Sequence, residues 1–213
     1  MKVNRSMVAQ AGLRLLQEAG LEQLTLRRLA TELQVQAATI YWHFKSKEEL
    51  IDEMATMVLA EGTPHLVPAR TSADWKLRAA SFGNGLRKTL LAYRDGARMV
   101  AGTRLTNTEY MTTVESIGAR LLDSGFSLRQ TVVLLSTIYN YTLSFVAEEQ
   151  AVYPRPKERS PQYDIAKRNA QLDAREFPLL RKSGVILFEG FDRRYREGLE
   201  LILSGAQQMR KND

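Results

Sequence analysis

Apolar positions recur at steps of three and four along most of the chain, and no strand-like alternation is sustained over several segments, so the pattern predicts an all-α protein. Over 5–19, Val8, Ala11, Leu15, Leu16 and Ala19 form one stripe that Gly20 ends. Thr25 can cap a short helix with Leu26, Leu29, Ala30 and Leu33 on one face. Gln34, Val35 and Gln36 suffice for a turn, and 37–44 make a second short helix. Ser46, with Glu49 three residues on, reads as a capping box opening a helix through Leu50, Met54, Met57 and Val58. Gly62-Thr63-Pro64 is expected to end that helix. Residues 1–62 thus read as a three-helix unit with a connecting helix, followed by a larger helical domain over 63–213.

Within the second domain, 68–72 is a polar, proline-containing link. A long amphipathic helix over 75–92 is expected to be interrupted at Gly83 and Gly85. A short helix over 95–100 ends at Gly102-Thr103-Arg104, and further helices are expected over 106–124 and 127–149. The second of these carries Val132, Leu135, Tyr139, Thr142, Leu143 and Val146 on one side. The stretch 153–161, YPRPKERSP, reads as loop, and 165–180 as weakly helical. The last helix, 185–208, places Phe188, Phe191, Tyr195, Leu199, Ile202 and Ala206 in one stripe.

Composition narrows the class. The 213 residues, 44% hydrophobic and 25% charged, are ordinary for a soluble globular protein. The absence of cysteine excludes a disulfide framework or a thiolate metal site and suits a reducing cytoplasm. No stretch is apolar enough for a signal peptide or a membrane span. The net charge of +6 permits an anionic partner, with the excess spread along the chain. Catalysis finds little support: there are two histidines, His43 and His65, and no nucleophile elbow, phosphate loop or zinc-hydrolase motif. Glu148 and Glu149, adjacent on a helix, face different ways.

Two short helices joined by a tight turn form the unit that sets its second helix in a DNA major groove. The segment GLEQLTLRRLATELQVQAATIYWHFKSKEEL carries a T-x-R-x-L-A start, a T-I-Y-W-H-F core and a K-x-K-x-x-L exit, and resembles the N-terminal signature of the tetracycline-repressor (TetR) family of one-component regulators. Phosphate contacts are expected from Thr25, Arg27, Tyr41 and Lys47, with His43 either joining them or structuring the turn. Base reading falls to Arg27, Gln36, Ala37, Thr39 and Tyr41. Ile40 and Trp42 read as packing residues.

The resemblance extends through LLAYRDGARMVAGTRLT, LLDSGFSLRQTVVLLSTIYNYTLSFVAEEQ and GLELILSG, towards the repressor that gives the family its name, and is thinnest over 153–184. It implies a homodimer joined by a four-helix bundle from 127–149 and the last helix, on a palindromic double-stranded operator. It also implies an effector pocket whose positions fall at Thr63 (with His65 nearby), Phe82, Leu86, Val100, Thr103, Arg104, Ser116 or Ile117, and Glu148; a hydrophobic effector is expected in a pocket lined by Phe82, Leu86, Val100, Leu105, Ile117, Val132, Leu135 and Tyr139. The family's magnesium-ligating histidine falls at Val100 and its drug-binding asparagine at Phe82, so a magnesium–tetracycline chelate is disfavoured in its usual pose. No cofactor or resident metal is expected, and an aromatic or hydrophobic effector fits better. The function implied is a cytoplasmic, effector-released repressor; the alternatives are a related activator or an effector-independent DNA-binding protein, with an enzyme remote.

Overall fold

The computed structural model describes residues 3–67 and 74–211. The expected link at 68–72 therefore lies outside the described residues. Eleven α-helices appear among the described residues, with one isolated bridge between Arg155 and Glu158 as the only extended pairing. Helices α1 (Arg5–Ala19), α2 (Leu26–Glu32) and α3 (Ala37–His43) pack with the start of α4 (Lys47–Leu66). Helices α5 (Trp75–Leu91), α6 (Gly96–Val100), α7 (Glu109–Asp123) and α8 (Leu128–Val152) form the body of the second domain. Helices α9 (Ile165–Ala170), α10 (Pro178–Phe188) and α11 (Phe191–Lys211) complete the chain.

The small N-terminal domain is built on a few anchors. Val8, Leu15, Leu16, Leu24, Leu29 and Ile40 are fully or nearly fully buried, and Phe44, Leu50 and Met54 close the same core. Arg5 lays its guanidinium 4.2 Å from the centre of the Phe44 ring. The same side chain bonds Glu53 at 2.8 Å and the His43 carbonyl at 2.7 Å, tying α1 to the end of α3 and to α4. Ser46 caps α4 by accepting from the Glu49 N–H, but the Glu49 carboxylate reaches the N–H of Lys45 rather than that of Ser46, so the box closes one residue earlier than its sequence pattern implies.

Helix α4 does not stop at Gly62. It runs through Pro64 to Leu66. A proline at position 64 cannot donate to the Ala60 carbonyl four residues back; the Thr63 hydroxyl donates to that carbonyl instead, at 2.9 Å, and the helix continues. Nor do Gly83 and Gly85 interrupt α5. Both helices use glycine for proximity. A Cβ on Gly62 would lie 2.3 Å from Thr89 Oγ1, and one on Gly85 would lie 2.1 Å from the His65 carbonyl oxygen, so the two backbones meet where side chains are missing.

Three other expected boundaries move. Helix α7 begins at Glu109 rather than 106. The stretch 165–180 divides, because Asp173 accepts the N–H groups of Arg175 and Glu176 in a turn and Pro178 then opens α10. The last helix breaks at Glu189-Gly190, where Gly190 takes φ +60°, so Phe188 belongs to α10 and packs edge-on to Tyr163. On α8 the buried side carries Thr131, Leu134, Leu135, Ile138, Thr142, Phe145 and Val146, while Val132 faces outward.

Helices α5, α8 and α11 meet around Tyr141, Phe145, Phe191 and Tyr195, whose rings contact one another. Arg87 enters this cluster from α5 and bonds Glu149 and Asp192, each at 2.7 Å. Burial alone would lower the Arg87 pKa; the two carboxylates outweigh it, and the net shift is upward. Burial raises the Glu149 carboxyl in spite of Arg87, so the pair stands against a real desolvation cost.

Two expectations follow from this packing. Gly85→Ala will force α4 and α5 apart and destabilise the protein by about 2 kcal/mol, a melting-temperature fall of roughly 4–8 °C for a chain of this size. A variant melting with the parent would disprove the close approach. Arg87→Met, which strands Glu149, will cost about 3–5 kcal/mol in urea unfolding, and adding Glu149→Met will restore most of it. A double variant whose loss equals the sum of the two single losses would show that the pair is not coupled.

Candidate nucleic-acid interface and ligand pocket

The first candidate site is the surface of α2 and α3. Thr25 caps α2, its hydroxyl accepting from the Arg28 N–H at 3.2 Å. The turn between the helices needs a left-handed residue, supplied by Gln34 at φ +53°, and Val35 closes it by donating to the Ala30 carbonyl. Ile40 is the buried anchor of α3, and Phe44, four residues on at its end, lies beneath the same side. The opposite side is exposed: Gln36, Ala38, Tyr41 and Trp42 face solvent, with Ala37 and Thr39 half-buried beside them. Arg27 and Arg28 are exposed on α2 next door.

This arrangement corrects the reading of Trp42 as a packing residue. It is 75% exposed, the most open aromatic side chain on α3. Helical geometry supplies the reason: at about 100° per residue, Trp42 stands roughly opposite the side shared by Ile40 and Phe44. The spacing of those two anchors was the signal for it. His43 resolves towards structure. Its Nε2 lies 3.1 Å from the Val3 carbonyl, and its own carbonyl accepts from Arg5. Lys47, expected at phosphate, is half-buried and donates to the Leu21 carbonyl at 2.8 Å, pinning the start of α4 to the turn after α1.

The positions expected to bind a small molecule separate into groups. Phe82, Leu86, Val100 and Ile117 are buried in the body of the second domain, with Leu135 at 9% exposure beside them. Leu105, Val132 and Leu135 line a groove of about 360 Å³ between α7 and α8, together with Tyr110, Val114 and Gly118. Val132, expected to line the effector pocket, is 57% exposed and among the residues that line this groove. Tyr139 is half-buried on α8, close enough to Tyr110 for their phenols to interact. The sequence reading did not name Tyr110; it opens α7 as an aromatic residue beside a polar turn, which marks no function by itself.

The remaining positions have structural partners. Thr63 is occupied at the Ala60 carbonyl, and the His65 side chain is exposed while its backbone packs against Gly85. Thr103 donates to the Val100 carbonyl at 2.8 Å and closes α6. The Arg104 side chain is exposed, but its N–H bonds Asp52 on α4 at 2.8 Å. The Thr106 N–H bonds Thr56, also on α4, at 2.9 Å. Glu148 pairs with Arg194 at 3.1 Å across α8 and α11, away from the α7–α8 groove. A magnesium chelate held as sequence comparison would place it does not fit this donor set: the Val100 side chain offers no lone pair, and no cluster of three His, Cys, Asp or Glu occurs among the described residues.

A larger hollow, about 670 Å³, lies between the turn after α5, the loop after α8 and the start of α11, with Gln17 of α1 on its edge. It contains none of the expected effector positions. No helix among the described residues is long and apolar enough to cross a membrane.

Comparison with known proteins agrees with this geometry. Residues 9–54 match the model for bacterial regulatory proteins of the tetR family, and residues 67–210 match the tetracyclin repressor-like C-terminal domain. The class C tetracycline repressor protein of Escherichia coli is 36% identical over 210 residues, covering 98% of this chain and 93% of that one. A solved structure of a possible TetR family transcriptional regulator from Streptomyces coelicolor A3(2) superposes with a TM-score of 0.84 at 32% identity, covering 97% of this chain and all of that one. TetR (class A) in complex with 5a,6-anhydrotetracycline and magnesium superposes at 0.69 with 32% identity, over 98% of this chain and 99% of that one.

The placement of Trp42 has a direct optical check. The chain has two tryptophans, and Trp75 is only 7% exposed. Iodide will quench one emitting component and leave the other, Trp42→Phe will remove the quenchable one, and duplex DNA will shield it. Two equally quenched tryptophans would contradict the orientation of α3.

Proposed function

Since the chain belongs to the tetR family of bacterial regulatory proteins and is a ligand-responsive transcriptional repressor that binds operator DNA as a homodimer, we propose how its own residues carry that role. The reading face is Gln36, Thr39, Tyr41 and Trp42 on α3, with Ala37 beside them and Thr25 and Arg27 contributing from α2. Phosphate contacts give affinity, while Gln36 and Thr39 address base edges. Lys47 and His43 hold the domain's shape through their bonds to the Leu21 and Val3 carbonyls. The observation that carries this reading is the exposed polar and aromatic face of α3, opposite the buried Ile40.

Pairing of two copies runs through α8 and α11, where Val133, Leu201 and Met209 leave apolar surface open around a hollow between the two helices. Such a dimer sets two α3 helices about one turn of DNA apart and calls for a palindromic operator.

Release follows from how α4 is held. The stretch Arg104–Thr106 donates two backbone N–H groups to Asp52 and Thr56 on α4, and Leu105 between them lines the α7–α8 groove. An effector that moves Leu105 therefore pulls on α4 one turn from the buried anchors Leu50 and Met54 of the reading domain. A second set of bonds guides the motion: Asp95 accepts the Leu21 N–H at 2.9 Å, and Gln17 donates to the Ala92 carbonyl at 3.0 Å. The effector shifts the equilibrium only by its unequal affinity for the two forms. Tetracyclines remain candidates by relationship, since class A TetR is solved with one, but an apolar aromatic effector suits the residues here better. We place the protein in the cytoplasm and assign it no catalytic role.

Band-shift assays with DNA flanking its own gene test the reading. The dimer will bind a palindromic segment at low salt and lose affinity steeply as salt rises; failure to bind any such segment at low salt would refute it. Thr56→Val, which removes the acceptor for the Thr106 N–H, will reduce the ratio of operator affinities without and with effector about fivefold, a coupling change of order 1 kcal/mol. An unchanged ratio would remove this bond from the route.

A further inference from the structure

We propose that the hollow of about 670 Å³ between α1, the turn after α5, the loop after α8 and the start of α11 is a second small-molecule site, and that it takes an organic carboxylate on a compact apolar body. The hollow shares no lining residue with the α7–α8 groove, and the proposal does not rest on the repressor reading.

The loop beside the hollow is fastened at several points. The Ser160 N–H bonds the Val152 carbonyl at 2.8 Å and closes the base of the loop. Arg159 donates to the Phe188 carbonyl at 2.8 Å and meets Glu189 at 3.2 Å, which ties the loop to the end of α10. At the tip, the Glu158 N–H bonds the Arg155 carbonyl at 3.0 Å, making a four-residue turn with Pro156 second and Lys157 third. Lys157 takes φ +65°. A turn with proline second and a left-handed third residue calls for glycine at that third place. Here the place holds a lysine that is exposed and forms no ion pair among the described residues. A side chain kept where glycine would be unstrained points to a use for that side chain.

The lining decides which ligand. Arg94, Arg155 and Lys157 all line the hollow. The Arg94 guanidinium bonds the Glu18 carbonyl, a neutral partner. Arg155 has Glu158 at 3.7 Å with both side chains more than half exposed, which makes a weak pair. The two carboxylates in the lining, Glu149 and Asp192, are both taken by Arg87. An entering anion therefore meets unmatched cations and no free carboxylate. Leu91, Pro154 and Pro156 add apolar wall, as do the rings of Tyr153 and Phe191, which meet edge-on with centres 6.0 Å apart. Guanidinium groups hold a carboxylate through paired N–H donors, and the volume falls within the roughly 300–1,000 Å³ of small-molecule sites. Gln17 and Arg94 also hold the end of α1 against the turn after α5, so an occupant bears on the reading domain from this side.

Equilibrium dialysis of the full-length protein against 2-naphthoate and 2-naphthamide, alike in shape and different in charge, tests the site. The anion will bind about tenfold tighter, the value of one charge-assisted hydrogen bond. Lys157→Gly will remove most of that preference while the melting temperature stays level or rises, since glycine relieves the turn; this separates lost recognition from lost folding. Lys157→Arg will keep the preference, Arg155→Gln will reduce it, and Leu91→Glu, which sets a carboxylate on the apolar wall, will abolish it. Equal affinity for the two probes, binding of neither, or a preference that survives both Lys157→Gly and Leu91→Glu would overturn the proposal. Saturating 2-naphthoate will also move the midpoint of the operator band shift about fivefold, and Lys157→Gly will cancel the movement. A midpoint that stays put would overturn the link to α1. Operator affinity that falls in Lys157→Gly without any probe would assign the lysine to DNA and refute the site. Absence of operator binding would refute the repressor reading, while the dialysis still decides the site.

Discussion

Everything that links the two halves of this molecule depends on α4 and α5 lying nearly backbone against backbone. Gly62 faces Thr89, and Gly85 faces the His65 carbonyl, at separations that admit no Cβ. Because α4 carries Leu50 and Met54 into the N-terminal core and Leu59 and Leu66 into the rest of the buried core, it belongs to both domains. Close contact at its C-terminal half leaves little slack there. Its other end is attached to α1 and α3 through Arg5, Glu53 and His43.

The polar bonds around that helix fall into two sets with different chemistry. Backbone donors of Arg104 and Thr106 grip Asp52 and Thr56, so this coupling is insensitive to the identity of the exposed Arg104 side chain. On the other side, Asp95, in a left-handed conformation at the start of α6, accepts from Leu21, while Gln17 and Arg94 hold the end of α1 against the turn after α5. The reading domain is thus held by two clasps that both lie next to α6. A short helix of five residues has little intrinsic stability, which suits it to be the part that yields.

The interior of the second domain is apolar where metal chemistry would need donors. Phe82 and Val100 fill space with carbon, Glu148 is engaged by Arg194, and the groove beside them presents phenol and hydroxyl groups rather than imidazole. The half-buried ion pairs, Arg87 with Glu149 and Arg194 with Glu148, lie instead beside the aromatic rings of α5, α8 and α11. There they join helices around the surface available for pairing and take no part in the groove.

The sequence by itself determined the helical class, the capped starts at Thr25 and Ser46, and the reading unit around Ile40 and Phe44. These are local matters: caps act within one turn, and a buried stripe announces itself by its period. Only the tertiary structure decided the fate of Gly62, Pro64, Gly83 and Gly85. In isolation these residues signal helix ends; against a neighbouring helix they permit contact, and a hydroxyl from Thr63 replaces the bond that Pro64 cannot make. The same holds for the ligand positions. Alignment to a family can number Val132, His65 and Glu148, but exposure and partners depend on which helix packs where, and that placed Val132 on a rim, turned His65 to solvent and gave Glu148 to Arg194.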